Sequence, residues 1–309
     1  MGESIELSVV ATVYKHSATL VQLVQEIEAA VASLKVSYEI LLVNDHSPDD
    51  SEAVIRSLCK PGSRIRGVTL ARNVGQQIAV SAGISIAQGN YVVVMDGDLQ
   101  NPPSAIVDLY TKVKEGYDLV YATSTLRNNW FDGVASKIFW FVVNGILKAG
   151  IVPNQLMMRI VSRKFANYFS TFSETNRVVE TICEAIGLRQ TSLPVKNRPR
   201  PVGRSSYNLF SRLDLFVRVL LIMSNRPLTM MMYGGLLGVF LAVIGGVNSI
   251  VMYMWHDVLP GYTSLILVIS FFGSATLMMT GILGRYMAMI FDEVRRRPLY
   301  LVQDRFNFS

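Results

Sequence analysis

Residues Met230–Trp255 contain no Asp, Glu, Lys, Arg or His, and neither do Tyr262–Gly284. At about 1.5 Å per residue, each run is long enough as a helix to cross a hydrocarbon core of about 30 Å. A chain carrying two such runs either spans a membrane or buries a helical hairpin whole, and the uninterrupted length of both favours the membrane. The connector His256-Asp257-Val258-Leu259-Pro260-Gly261 lacks Lys and Arg, whereas Arg218 and Arg226 precede the pair and Arg285, Arg295, Arg296 and Arg297 follow it. By the positive-inside rule both flanks face the cytoplasm. The expectation is a multi-pass protein of the cell inner membrane, with two transmembrane helices in 227–291 and a cytoplasmic tail at 292–309.

The remainder reads differently. The chain has 309 residues, of which 50% are hydrophobic, but the excess is concentrated beyond residue 228. Before that, apolar strand-like runs alternate with helical periodicity. Strands are expected at Ile5–Tyr14, Glu39–Val43, Ile65–Leu70, Tyr91–Asp96 and Asp118–Ala122. Helices are expected after Ser17 (Leu20, Leu23, Val24, Ile27, Val31 and Leu34 recur at helical spacing), after Pro48, over 76–87 and after Pro103. Strands apolar throughout and alternating with helices imply an α/β domain with a mostly parallel sheet covered on both faces. The net charge of +6 fits anionic lipid or a phosphate-bearing substrate. With no binding module or long basic tract, nucleic acid is not an expected partner. Cys59 and Cys183 show neither metal-ligand spacing nor a disulfide framework, which suits a reducing compartment. Ile5–Tyr14 is short and β-rich, and is not expected to be a signal peptide.

Within this domain, Tyr91-Val-Val-Val-Met-Asp-Gly-Asp-Leu-Gln-Asn-Pro-Pro103 carries the chemistry. A buried strand ends in two carboxylates, Asp96 and Asp98, at the carboxyl edge where open α/β sheets bind ligands. Hard oxygen donors at i and i+2 suit Mg²⁺ or Mn²⁺, which would hold a diphosphate. The competing reading is a solvated Asp-Gly-Asp turn. From 124 to 200 the order is harder to read: Trp130–Leu147 and 176–187 have helical character, and Lys196–Arg204 is a basic loop. Over 207–226, Leu209, Phe210, Leu213, Phe216, Val217, Leu220 and Leu221 form one apolar face with Arg212, Asp214 and Arg218 interspersed. That pattern suits a helix lying in the membrane interface.

Taken together, Val9-Val10-Ala11-Thr12-Val13-Tyr14, Val43-Asn44-Asp45-His46-Ser47, Arg72-Asn73-Val74-Gly75 and Asp96-Gly97-Asp98-Leu99-Gln100-Asn101-Pro102-Pro103 resemble the family 2 glycosyltransferases of GT-A fold. The resemblance is to their polyprenyl-phosphate branch, similar to dolichyl-phosphate mannosyltransferases and bactoprenol glucosyltransferases, and it runs over nearly the whole chain. It implies a GT-A domain at 1–206. It also implies a metal-dependent enzyme that moves a sugar, with inversion, from a UDP- or GDP-sugar to polyprenyl (undecaprenyl or dolichyl) phosphate, in cell-envelope polysaccharide synthesis. A homo-oligomer is compatible with it.

Residue by residue, the resemblance implies that Asp96, Asp98 and Gln100 hold the metal, and that Thr12, Tyr14, Asp45 and Asp96 line the donor site. It makes Asp98, Arg159 and Arg163 the catalytic candidates. Arg200, Ser205 and Tyr207, in an Arg-x-x-Gly-x-Ser-x-Tyr segment with Gly203, are the candidates for the lipid phosphate. Arginine's planar fork suits phosphate, although each arginine could equally be a structural ion pair.

This chain also departs from the pattern. Thr12 replaces a proline, Lys15-His16 replaces Asn-Glu, Asn44 replaces an aspartate and Ser104 a glutamate. Met157 stands where many members carry an aspartate considered as general base. A phosphate acceptor is largely ionised at pH 7, so it needs no such base. Two alternatives remain beside this reading. One is a non-catalytic GT-A membrane scaffold. The other is a polysaccharide synthase acting on a sugar hydroxyl, against which stand two spans and no Gln-x-x-Arg-Trp.

Overall fold

The computed structural model describes residues 4–125, 155–175, 177–196 and 261–308, with scattered positions between 233 and 251. The expected helix at Trp130–Leu147 and the 207–226 segment lie outside the described residues. The described chain divides into two compact units: residues up to 196 together with the chain after Arg296, and the residues from 233 to Arg296.

The first unit is built on β-branched, apolar strands: β1 Leu7–Val13, β2 Tyr38–Asn44, β3 Ile65–Leu70, β4 Tyr91–Asp96 and β5 Leu119–Ser124. Between them run α1 Leu20–Ala32, α2 Ser51–Leu58, α3 Gln76–Ile86 and α4 Ala105–Val113. All nine match the sequence expectations to within a few residues. Every residue of β1 is buried, because helices cover the sheet on both faces. One layer of core packs α1, α2 and α4 residues such as Leu23, Ile55 and Leu109 against Val9 and Val93. The other packs α3 residues such as Val80 against Val10 and Val94.

Four further elements were not anticipated as such or only in part: β6 Gln155–Ser162, α5 Arg163–Thr171, β7 Gln190–Val195 and β8 Val302–Phe306. The expected 176–187 helix is α6, Val179–Ile186. Among the described residues the sheet has eight strands in the order β7-β5-β6-β4-β1-β2-β3-β8. β1 lies parallel between β2 and β4, and β2 lies parallel to β3. β5 and β7 are parallel, whereas β6 runs antiparallel between β4 and β5, and β8 antiparallel on β3. The sheet is therefore mixed and mostly parallel, a GT-A-like α/β arrangement. β8 draws residues from the expected tail into this sheet.

The second unit contains α7, Tyr262–Val294, a helix of 33 residues. Its Phe271–Val294 stretch is long and apolar enough to cross a membrane, and it is the one such span among the described residues. Leu265, Ile269, Phe272, Leu277 and Leu283, all on α7, have exposed side chains.

Candidate active site

The parallel strands β1, β2 and β4 end side by side, and a cleft of about 500 Å³ opens at their carboxyl edge. That volume lies within the usual range of small-molecule sites. Thr12, Tyr14, Asp45, Asp96, Asp98 and Gln100 all line it, together with Val13, His16, Asn73, Gly75, Gln76 and Ala79. The turns at this edge hold unusual backbone: Lys15, His46 and Leu99 have φ of 60°, 50° and 60°. Left-handed backbone in side-chain-bearing residues is uncommon and clusters at functional sites.

The β1–β4 register sets Thr12 beside Asp96. The Thr12 hydroxyl, present where the family pattern has proline, donates to Asp96 Oδ1 at 3.4 Å. The Gln76 side-chain amide, at the first position of α3, donates to the same oxygen. Asp98 Oδ1 accepts the Gln100 backbone N–H at 3.0 Å, which folds the loop back on itself. Gly97 between them has no room for a side chain. Its N–H donates to the Thr12 carbonyl at 2.9 Å, and a Cβ there would lie 2.8 Å from that oxygen and 3.3 Å from His16 Cδ2.

The Asp96 carboxyl is raised to about 6, by burial first and by the Asp98 charge second, against the Gln76 and Thr12 hydrogen bonds and the Arg159 charge, which lower it. Two mutually repelling carboxylates beside a side-chain amide form an oxygen donor set short of positive charge, which a small divalent cation fits. No cluster of three His, Cys, Asp or Glu occurs among the described residues. Two carboxylates suit a hard divalent cation such as Mg²⁺ or Mn²⁺.

Asp45 sits at the floor of the cleft, buried, and its two oxygens accept the Val74 and Gly75 N–H groups at 2.8 and 2.9 Å. Burial raises its pKa against those two bonds. Asp45 thus fixes the Arg72-Asn73-Val74-Gly75 turn, where Gly75 has φ of 90°. On the opposite lip, Ser47, Ser51 and Asp49 accept the successive backbone N–H groups of Lys15, His16 and Ser17. Burial would raise Asp49, but the hydrogen bonds from Ser51, Ser47 and Ser17 outweigh it and hold the carboxyl well below its usual range. The Lys15-His16 lip is therefore anchored by its own backbone.

The two candidate catalytic arginines are not presented in this cleft. Arg159, paired across β6 with Val94, is 1% exposed. Its guanidinium donates to Glu180 Oε1 at 2.8 Å and to the Met157 carbonyl at 3.0 Å, and it lies over the Tyr121 ring. Its buried charge lowers the Asp96 pKa. Arg163 is farther away, because β6 runs antiparallel to β4 and Ser162 pairs with Tyr91. Its guanidinium donates to the Ala87 and Gly89 carbonyls. That places it near the amino end of β4, roughly 17 Å along the strand from Asp96, where it braces the 87–89 loop. Arg200, Gly203, Ser205 and Tyr207 lie outside the described residues.

Gln76 is the site residue that motif reading passed over. The signal available was its place immediately after Arg-Asn-x-Gly, where a helix N-terminus meets the cleft.

Three comparisons bear on this arrangement. Residues 8–170 match the family described as Glycosyl transferase family 2. The chain is 34% identical over 304 residues to an uncharacterized glycosyltransferase of Synechocystis sp., covering 97% of this chain and 96% of that protein. It is 31% identical over 309 residues to the undecaprenyl-phosphate 4-deoxy-4-formamido-L-arabinose transferase of Sodalis glossinidius, covering 96% and 93%. Among solved structures, the fold resembles mannosyl-3-phosphoglycerate synthase from Rubrobacter xylanophilus, with TM-score 0.50, 17% identity and coverage of 70% and 72%. That last likeness is one of fold alone.

Proposed function

Because the chain belongs to glycosyltransferase family 2, and is therefore a glycosyltransferase, we propose that it moves a sugar from a nucleotide-diphosphate donor to polyprenyl phosphate, with inversion, at the cytoplasmic face of a membrane. The observation that carries the donor half is the cleft that joins Asp96, Asp98, Gln100, Thr12, Tyr14 and Asp45 at the carboxyl ends of three parallel strands. The acceptor half is supported by relatives named for undecaprenyl phosphate that match along nearly the full chain.

In this reading Asp96, Asp98 and Gln100 hold Mg²⁺ or Mn²⁺. When bound, such a cation supplies charge neutralisation to the departing diphosphate. Gln76 and Thr12 hold the Asp96 carboxylate by one oxygen, which fixes its orientation for that task. Asp45 orders the 72–75 turn against which the nucleotide would lie. The polyprenyl phosphate oxygen attacks the anomeric carbon as an anion and needs no side-chain base. Met157, which the β4–β6 register sets beside Asp96 when continued by one pair, is compatible with that. Holding the two reactants in line lowers the barrier further.

The membrane arrangement belongs to the same proposal: a catalytic domain at 1–206, an interfacial helix at 207–226, two spans in 227–291, and a return through 292–309. Three observations support it. α7 contains a span-length apolar stretch. Every described residue between 233 and 251 is helical, and Gly238 lies against Phe272, where an added Cβ would sit 3.3 Å from the ring. Finally, chain before 197 and chain after 301 share one sheet, so any crossings between them must be even in number. If α7 crosses, a second segment does too.

The test is transfer from a panel of UDP- and GDP-sugars to polyprenyl phosphate in the presence of Mg²⁺ or Mn²⁺. The expected result is transfer from one donor class, lost on chelation. A protein that binds nucleotide diphosphate normally but transfers from no donor would refute the proposal and favour the scaffold.

A further inference from the structure

The carboxyl-terminal strand is positioned to govern the donor cleft although none of its residues lines it. β8 runs antiparallel on β3, pairing Phe306 with Gly67, Arg305 with Val68, Asp304 with Thr69 and Val302 with Leu70. One residue beyond this ladder the Leu301 carbonyl accepts the Ala71 N–H at 2.9 Å. Ala71 leads directly into Arg72-Asn73-Val74-Gly75, the turn that gives Asn73 and Gly75 to the cleft and the Val74 and Gly75 N–H groups to Asp45. At the other end, the Asn307 side-chain amide donates to the Ser63 carbonyl at 2.9 Å, the Ser63 hydroxyl at 3.2 Å and the Ile65 carbonyl at 2.8 Å. Asn307 adopts φ of 60°, which asparagine tolerates. Phe306 closes over Gly67, where an added Cβ would meet its ring at 2.9 Å. Tyr300, Val302 and Phe308 pack on the core layer that holds α3.

β3 is thus gripped at both ends by chain that lies beyond α7, with only residues 295–301 between α7 and β8. Without β8, β3 becomes an edge strand and the 71–75 turn keeps only Asp45 and α3 as anchors. Donor binding would then have to order that turn.

We propose that residues 298–308 form a strap that positions the donor-binding turn, with the Leu301 carbonyl and the Asn307 amide as its two fastenings. It makes donor affinity depend on how the chain returns from α7. The inference rests on the donor-site reading above.

The test uses the full chain in detergent, a chain lacking residues 298–309, and Asn307→Gly, which keeps the left-handed backbone and removes only the amide. Amide exchange over residues 65–75 and the affinity for UDP and GDP are measured, along with separate KM values for donor sugar and polyprenyl phosphate. Both variants are expected to exchange faster over 65–75. They should bind nucleotide about tenfold more weakly, the cost of re-fixing about one residue's worth of backbone. The acceptor KM should not move, and a peptide of residues 298–309 added to the shortened chain should restore nucleotide affinity. Unchanged exchange and affinity in the shortened chain would overturn the strap. So would equal losses toward donor and acceptor that the peptide does not repair, since those mark a general loss of structure. A wild-type chain that binds neither nucleotide would instead overturn the donor reading, and the exchange measurement would still decide the strap.

Discussion

Replacing Asp98 with asparagine should cut sugar transfer sharply and, without divalent cation, make the protein more stable. The Asp96 carboxyl is raised from 3.8 to about 6, by burial first and by the Asp98 charge second. At about 1.36 kcal/mol per unit, that shift corresponds to about 3 kcal/mol of ionisation cost borne by the folded chain above pH 6. A carboxyl with a higher pKa folded than unfolded binds more protons in the folded state between the two values. Stability should therefore fall as pH rises from about 4 to about 6, and stay low above that. Burial is the larger cause, so removing the Asp98 charge recovers less than half, about 1 kcal/mol, or about 2–4 °C in melting temperature for a domain of this size. The assay is thermal unfolding of wild type and Asp98→Asn in detergent at pH 4 and pH 8, with chelator or with Mn²⁺, alongside sugar transfer. With chelator the variant should melt higher at pH 8, and the difference should shrink at pH 4. With Mn²⁺ only the wild type should gain, while transfer by the variant drops about 10²-fold or more. A variant that melts lower than wild type at pH 8 under chelation, or that Mn²⁺ stabilises equally, would refute the reasoning.

Four other outcomes are expected. Gly97→Ala forces a Cβ to 2.8 Å from the Thr12 carbonyl, so stability should fall by about 1–3 kcal/mol and transfer should collapse, as melting and activity measurements would show. Glu180→Gln leaves the Arg159 guanidinium buried without its carboxylate, and unfolding experiments should register a loss of about 3 kcal/mol. Met157→Asp should raise transfer by no more than severalfold, because Arg159 already has Glu180 and a phosphate acceptor needs no base; a gain of several orders of magnitude would contradict this. A cysteine placed in the 256–261 connector should react with an impermeant thiol reagent from outside intact cells, while the buried Cys59 and Cys183 stay silent; labelling of the termini instead would invert the topology.

Much of this was legible in the chain itself. The runs at 9–13, 40–43 and 91–95 are so nearly uniformly apolar that a sheet covered on both faces is the arrangement that buries them. An Asp-Gly-Asp placed at the end of one of them must then emerge at the carboxyl edge. β6 was not legible, because Arg159 interrupts its apolar run and a mid-strand arginine reads as surface. Its burial is made tolerable by Glu180 and the Met157 carbonyl, partners that come together only on folding.

By itself, then, the sequence determined the parallel core, the carboxylate pair, the cleft residues Thr12, Tyr14, Asp45 and Gln100, and the apolar character of α7. The core, the carboxylate pair and the apolar span follow from local composition and from a periodicity that any covered sheet must satisfy, whereas the four cleft residues follow from the motifs shared with the glycosyltransferase family. Tertiary structure alone decided that Gln76 holds Asp96, that Arg163 belongs to the far end of β4, and that Val302–Phe306 returns to β3. Each of those depends on the direction and register of strands distant in the chain. Hydrogen bonding between such strands is selected by the packing of the whole sheet, and no short stretch of residues encodes it.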